Sequence, residues 1–399
     1  MQVLRSCCLA GHASLASHAS LAGHASQALT VNPARQLQIL FAVRTISLNL
    51  QAVIKRMNKK QILYLLSGAA ILVITGLILI YKSIFGIVIH AEKPDKVIII
   101  STGASYEQVL DSILTNHIIK NRKLFDWVAK RKNYPALIKP GRYVLDKDFS
   151  YNGLINLLRS GRQTPVRITF QNIRTLNQLA GKIGKQIEAD SIQIMNFLSD
   201  ESNYVADGFK KETIIAVFIP NTYEIYGNTD ARGLYTRMLR EYSLFWNEQR
   251  LAKARKIGLD PKEVSILASI IDDEVAKPDE KPRIAGVYLN RLQRGIPLQA
   301  CPTIKFALND FTITRVLYIH LQTDSPYNTY KHSGFPPGPI GCPTIDGIDA
   351  VLNAEYHDYL FFAARADFSG YHHFSTTLAE HNHYAALYQK ELNKRKIFK

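Results

Sequence analysis

The chain has 399 residues, 47% hydrophobic and 21% charged, a balance that excludes a largely disordered polymer and allows two compact domains with further segments. Its formal charge of +16 fits an anionic partner such as nucleic acid, a lipid surface or a charged polymer, or else plain solubility. The first 56 residues hold five Lys or Arg and no acid, so +11 remains beyond them.

Residues 1–56 read as a low-complexity leader foreign to the rest of the chain. His12, His18 and His24 recur every six residues within a Ser/Ala/Leu/Gly repeat, a spacing that permits metal binding but is more simply compositional. The segment is acid-free and Ser-rich like a transit peptide, yet Met57-Asn-Lys-Lys-Gln before an apolar run is a natural start for a membrane-anchored protein, and Met57 is the expected initiator. A short segment, 57–61, leads into an uncharged run of twenty residues, 62–81, long enough to cross the hydrocarbon core; the transmembrane helix is expected over 62–82. Lys55, Arg56, Lys59 and Lys60 precede it and only Lys82 follows closely, which puts the N-terminal side in the cytoplasm and the rest outside. A cleaved signal peptide is the alternative, opposed by the run's length and by the lack of an Ala-x-Ala site directly behind it.

Residues 83–96 form a linker closed by Pro94, and 97–164 a small α+β domain. In it Val97–Ile100 reads as a strand, Ser105 caps a helix through about Leu114, Arg142–Leu145 is a second strand, and Ser150 with Gly161 brackets a helix over Gly153–Leu158. The organisation breaks near Gln163–Pro165. Arg167–Phe170 is then the first strand of a larger α+β domain, 165–399.

The strongest chemical signal lies in residues 263–276. At about 100° per residue, Val264, Leu267, Ala268, Ile270, Ile271 and Val275 make one broad apolar arc that includes Glu274, while Asp272 and Asp273 point toward Ser265 and Ser269. A carboxylic acid on an apolar face is poorly solvated as an anion, so it holds its proton near neutral pH, as a general acid for glycosidic cleavage must. Periodicity leaves a second reading open, a buried Glu paired with Arg283 or Arg291. Other chemistries are poorly served, since the chain has no His-Glu-x-x-His motif, no Gly-x-Ser-x-Gly elbow, no Walker-type loop and no nucleic-acid motif. His372, His373, His381 and His383 are the one tempting metal set. Thr377-Leu-Ala-Glu380, however, reads as a capping box opening a C-terminal helix, which makes them cap-region polar groups; neither metal nor other cofactor is expected. Cys301 as a nucleophile fares no better, because the Cys-Pro pair gives its sulfur no helix N-terminus.

Read in order, Leu267-Ala-Ser-Ile-Ile-x-x-Glu274, Asn290-Arg-Leu292, Leu298-Gln-x-x-Pro-Thr303, Pro326-Tyr-Asn-Thr-Tyr330, Gly334-Phe-Pro-Pro-Gly338 and Leu378-Ala-Glu-His-Asn382 resemble the MltG/YceG-type endolytic murein transglycosylases. Lys139-Pro-Gly-Arg-Tyr143 and Phe218-Ile-Pro-Asn-Thr-Tyr223 extend the likeness from about residue 95 to the end. The resemblance implies a LysM-like small domain and a catalytic domain facing the cell wall from the cytoplasmic membrane. It further implies a lyase in which Glu274 protonates the oxygen between N-acetylmuramic acid and N-acetylglucosamine, then takes the proton of the muramyl 6-hydroxyl, leaving a 1,6-anhydro end and limiting strand length. Gln299, Asn221 and Asn328 would hydrogen-bond hydroxyl and acetamido groups, Tyr223, Tyr327 and Tyr330 would stack on sugar faces, and the motif residues Thr303 and Asn382 would join them. Peptidoglycan strands, the membrane and wall-synthesis enzymes are the implied partners. The alternative reading of Pro-Tyr-Asn-Thr-Tyr and Phe-Pro-Pro-Gly is rigid loops.

The chain departs from the family's Leu-Gln-x-Asp-Pro-Thr pattern at Cys301, where Asp is usual, which puts any polar role of that Asp in doubt. This keeps a second function open, a catalytically silent wall-binding scaffold. Asp272 and Asp273 would be needed for a two-carboxylate hydrolase, but they point off the Glu274 face. Cys301 and Cys342, each just before a proline, are a candidate disulfide for an oxidising compartment, with two free buried thiols as the alternative.

Overall fold

The computed structural model describes residues 57–90, 96–395 and 397, with Gln38, Phe41, Ala42, Arg44, Thr45 and Ser47. Expectations for the His-bearing leader and for the linker at Pro94 fall outside the described residues. The chain divides into two compact units, Met1–Lys82 and Ser83–Lys399.

Most of helix α1 (Lys59–Phe85) belongs to the first unit. Its 27 residues have a window of mean hydropathy 2.5, long and apolar enough to cross a membrane. Leu65 and Leu72 on it are exposed, whereas Ile84 near its end is buried.

The second unit opens with β1 (Lys96–Ile100), α2 (Tyr106–Thr115), α3 (Arg122–Arg131), β2 (Gly141–Leu145) and α4 (Tyr151–Ser160). β1 and β2 pair antiparallel with Ile98 opposite Tyr143, and α2–α4 close over Ile98, Phe125, Tyr143 and Leu154. The caps follow from side-chain chemistry: Ser105 forms a capping box with Gln108, Ser150 accepts from the Gly153 N–H, and Gly161 takes the left-handed conformation that ends α4 at φ +71°.

Next, β3 (Val166–Thr169) pairs antiparallel with β4 (Thr222–Ile225), and α5 (Leu176–Ile183), α6 (Ser191–Ser199) and α7 (Ala231–Phe245) enclose a second core of Phe170, Leu179, Phe218 and Met238. The third core is helical. It holds α8 (Glu248–Lys256), α9 (Pro261–Glu274), α10 (Lys281–Gln293), α11 (Cys301–Ala307) and, after the exposed single turn α12 (Tyr318–Leu321), α13 (Ile345–Leu352), followed by the antiparallel pair β5 (Phe361–Ala364) and β6 (His372–Ser375) and by α14 (Leu378–Lys394). Mixed helices and two-stranded sheets make this an α+β protein.

α9 positions the site. Asp260 caps it reciprocally with Glu263, and Pro261 occupies the first turn, where its missing N–H costs nothing. Residues Val264 through Ile271 are all buried, so α9 is a core helix rather than an amphipathic one. Ser265 and Ser269 are tolerated inside because their hydroxyls donate to the Pro261 and Ile266 carbonyls at 2.8 and 2.7 Å.

Candidate active site

Glu274 is the last residue of α9, and Val275 leaves the helix with extended backbone at φ −137°. The half-buried side chain turns toward α10 and the start of α11. Tyr288 donates its hydroxyl hydrogen to Oε1 at 3.0 Å, and the Cys301 backbone N–H donates to the same carboxyl group. Burial pushes the Glu274 carboxyl up from 4.5 to about 7. The two hydrogen bonds and Lys305 pull it down, while Asp273 adds to the rise. The negative end of the α9 dipole acts in the same direction as burial. Burial and the neighbouring Glu274 hold the Tyr288 phenol well above 10, so it stays a donor.

Neither candidate arginine pairs with this acid. Arg283 donates to Glu355 at 2.8 Å, whereas Arg291 donates to the Pro297 and Leu360 carbonyls at 2.9 and 3.0 Å and to Gln299 Oε1. The chain enters α11 through Gln299 at φ +53°, a left-handed conformation that strains a non-glycine residue. It is held there by the Gln299 N–H to Thr329 O and the Ala300 N–H to Thr329 Oγ1, both at 3.0 Å. The Tyr330 hydroxyl lies 3.2 Å from Cys301 Sγ. Cys301 and Tyr330 are thus brought to Glu274, while the Gln299 side chain is held by Arg291. Half-buried Tyr327 rests its ring on Phe306 at 4.7 Å in the third core. Together these groups form an acid whose carboxyl is raised to about 7 and accepts from two donors, with the Cys301 thiol and the Tyr330 phenol close by.

The YceG-like family model matches residues 98–386. The chain belongs to the YceG-like family. An endolytic murein transglycosylase of Bacillus subtilis (strain 168) is 29% identical over 327 residues, 78% of this chain and 89% of that protein. The protein of the same name from Streptococcus pneumoniae (strain ATCC BAA-255 / R6) is 29% identical over 299 residues, 66% of this chain and 53% of its own length. This chain therefore spans about half of that relative. A crystal structure of a YceG-like protein from Listeria monocytogenes is 26% identical with a TM-score of 0.48, covering 73% of this chain and 99% of that one.

Several residues in the YceG-like motifs serve the fold rather than an open cleft. Tyr223 does not offer a face to sugar: it is buried in the second core, its hydroxyl donating to Ile219 O at 2.6 Å and its ring stacked on Phe170 at 5.6 Å. Asn328 is buried, its amide donating to the Leu321 and Thr323 carbonyls at 2.9 and 2.7 Å and its oxygen accepting from the Tyr330 N–H. Thr303 is also buried, donating to Ala300 O at 2.8 Å. Asn221 is exposed beside β4, with Oδ1 taken by the Thr222 N–H at 2.7 Å. Asn382 is exposed in the second turn of α14. Its neighbour His381 stacks on Phe361, the ring that also carries Arg291. His372 is bonded to Glu280 at 2.8 Å and His373 stacks on Tyr384 at 4.0 Å.

The candidate disulfide does not form, and the alternative of two free thiols holds. Cys301 and Cys342 are both free; Cys301 belongs to the Glu274 cluster, whereas Cys342 is buried in the second core. Cys301 is the first residue of α11 despite the following proline, yet burial and the neighbouring Glu274 push its thiol up, and burial pushes Cys342 up further. Both are expected to alkylate far more slowly in the native than in the denatured protein at neutral pH. A 301–342 cross-link found by non-reducing peptide mapping would contradict this arrangement. Periodicity assigns no role to Tyr288 or Lys305, although Tyr288 stands two residues before the Asn290-Arg-Leu292 motif. On the other side of the α9 terminus, a cavity of about 250 Å³ is lined by Arg174, Asp272, Asp273 and Lys281, whose charges pair with one another.

Proposed function

We propose that this chain is a membrane-anchored lytic transglycosylase that cleaves the bond between N-acetylmuramic acid and N-acetylglucosamine within peptidoglycan strands, with Glu274 as its acid and base. The observation that carries the reading is the placement of Glu274 at the C-terminal end of the buried helix α9, with Oε1 accepting from the Tyr288 hydroxyl at 3.0 Å; burial there raises the carboxyl to about 7. Protonated Glu274 gives its proton to the glycosidic oxygen as that bond breaks; the resulting carboxylate takes the proton of the muramyl 6-hydroxyl while its oxygen bonds to the anomeric carbon. Atoms balance without water, and Glu274 ends protonated again. The oxocarbenium character of the transition state favours dipoles such as the exposed Gln299 amide. Helix α1 supports anchoring, with the basic residues before it favouring an extracytoplasmic second unit and contact with the wall-synthesis enzymes. The order β1–α2–α3–β2 with one antiparallel pair supports a LysM-like small domain that holds glycan.

The test is mass spectrometry of uncrosslinked strands incubated with the detergent-solubilised full chain. New internal 1,6-anhydro ends support the reading, reducing ends point to a hydrolase, and intact strands bound by folded protein point to a silent scaffold. Asp273 decides between one carboxylate and two. Its side chain is paired with Arg174 at 3.2 Å in a partly exposed ion pair. Asp273→Asn is expected to leave activity within a few-fold and stability within about 1 kcal/mol. A loss of a hundredfold or more would make Asp273 a second catalytic acid.

A further inference from the structure

We propose that Tyr288 is a positioning residue for the reaction: its hydroxyl hydrogen occupies Oε1 of Glu274, so the transferable proton resides on Oε2 and the charge left behind is received by the phenol. The inference rests on Glu274 being the acid and base proposed above. Its first support is geometric. The Tyr288 hydroxyl lies 3.0 Å from Oε1 and belongs to a ring that is 1% exposed. That ring meets Phe362 edge-on at 5.8 Å and 87°, and Phe362 meets His372 edge-on at 5.4 Å and 90°. His372 is in turn fixed by Glu280, which accepts from its backbone N–H at 3.0 Å and bonds its ring at 2.8 Å. Clamped in this way, the phenol has Glu274 Oε1 as its hydrogen-bond acceptor among the described residues.

The second support is the chemistry of a carboxylic acid. One oxygen carries the proton and is a donor; the other only accepts. A phenolic O–H aimed at Oε1 is compatible with the acid only when the acid proton is on Oε2. Once that proton leaves, the neutral hydrogen bond becomes charge-assisted and strengthens, as does the one from the Cys301 N–H. Donors whose bonds strengthen as charge develops lower the barrier rather than merely tighten binding. Other charged or titratable groups facing Glu274 are Lys305, Asp273, Cys301 and Tyr330. Lys305 favours the carboxylate and Asp273 opposes it; the Cys301 thiol and Tyr330 phenol are held protonated by burial and meet each other at 3.2 Å, which leaves Tyr288 as the side chain hydrogen-bonded to Glu274 among the described residues.

The decisive experiment compares the full chain with Tyr288→Phe and with a fluorinated tyrosine at position 288. In Tyr288→Phe, kcat is expected to fall about ten- to a hundredfold with KM little changed, and the alkaline limb of the pH profile to move up by about one unit. The fluorinated residue, a stronger donor of nearly the same shape, is expected to move the limb the other way. That opposite sign is what a merely structural tyrosine cannot produce, and it keeps the test usable if the phenylalanine variant folds poorly. Infrared difference spectra against Glu274→Gln follow the Glu274 C=O band and its titration without substrate. A band and midpoint that stay put in both variants overturn the proposal whether or not strands are cut. A band that shifts in a wild type that cuts nothing overturns the proposed function and leaves the hydrogen-bond assignment standing.

Discussion

Glu274→Gln is expected to abolish new anhydro ends, lowering the rate by about a thousandfold or more, because one group serves as acid and then as base. The fold should survive, since an amide of the same shape still accepts the Tyr288 hydroxyl and the Cys301 N–H. Its stability should show a sign that a simple loss of function does not require. The folded-state pKa of Glu274 is raised to about 7 against an ordinary 4.5, so between these values the native state binds the extra proton. Below pH 4.5 the group is protonated in both states and costs nothing; stability is lost as pH rises through about 7, on the order of 3 kcal/mol in total. Wild type and Glu274→Gln should therefore melt together near pH 4 and diverge by pH 8, with the Gln variant the more stable. Equal melting temperatures at both pH values would mean that Glu274 is solvated as an ordinary carboxylate, and the acid role would fall with it.

Local chemistry was legible in the chain where the cause was local. Ser105, Ser150 and Gly161 cap helices because their side chains, or the lack of one, act within a few residues. Glu274 was visible because one apolar arc at helical period contained a single acid. The same periodicity treated Ser265 and Ser269 as a polar face, whereas α9 is buried all round and both hydroxyls bond back to the helix. Residues chosen by chemical type were less secure. Tyr223, Asn328 and Thr303 have the groups that sugars need, but the same groups satisfy buried backbone, and nothing in the string of letters says which demand they meet. Cys301 and Cys342 share a Cys-Pro context yet lie apart, Cys342 in the second core and half-buried Cys301 against Tyr330, a fact set by tertiary packing across forty residues of chain. Tyr288 was hidden for the opposite reason, since an aromatic on an interior helix is ordinarily core, and only its hydroxyl's approach to Glu274 gives it a further use.

Asp272→Ala is expected to be the most destabilising single change near the site. Two residues before Glu274, the Asp272 carboxylate accepts from Lys281 Nζ at 2.7 Å, from the Thr344 N–H at 2.7 Å and from Thr344 Oγ1 at 2.8 Å. It ties the end of α9 to the start of α10 and to the cap of α13, whose Gly347 lies so close that an added Cβ would come within 2.5 Å of the carboxylate. Both ions are largely shielded, with 11% of the Lys281 side chain and 14% of the Asp272 side chain exposed. Removing the acid strands a buried ammonium and a backbone N–H, which typically costs about 3–5 kcal/mol, a drop of about 10 °C in Tm for a domain of this size. Asp272→Asn should fall between, because the amide still accepts from Thr344 but cannot neutralise Lys281. Activity should decline in step with the folded fraction, since Asp272 points away from the substrate-facing acid. A variant that keeps its Tm but loses cleavage would make Asp272 a participant in the reaction, and the single-carboxylate mechanism would then have to give way to a two-carboxylate one.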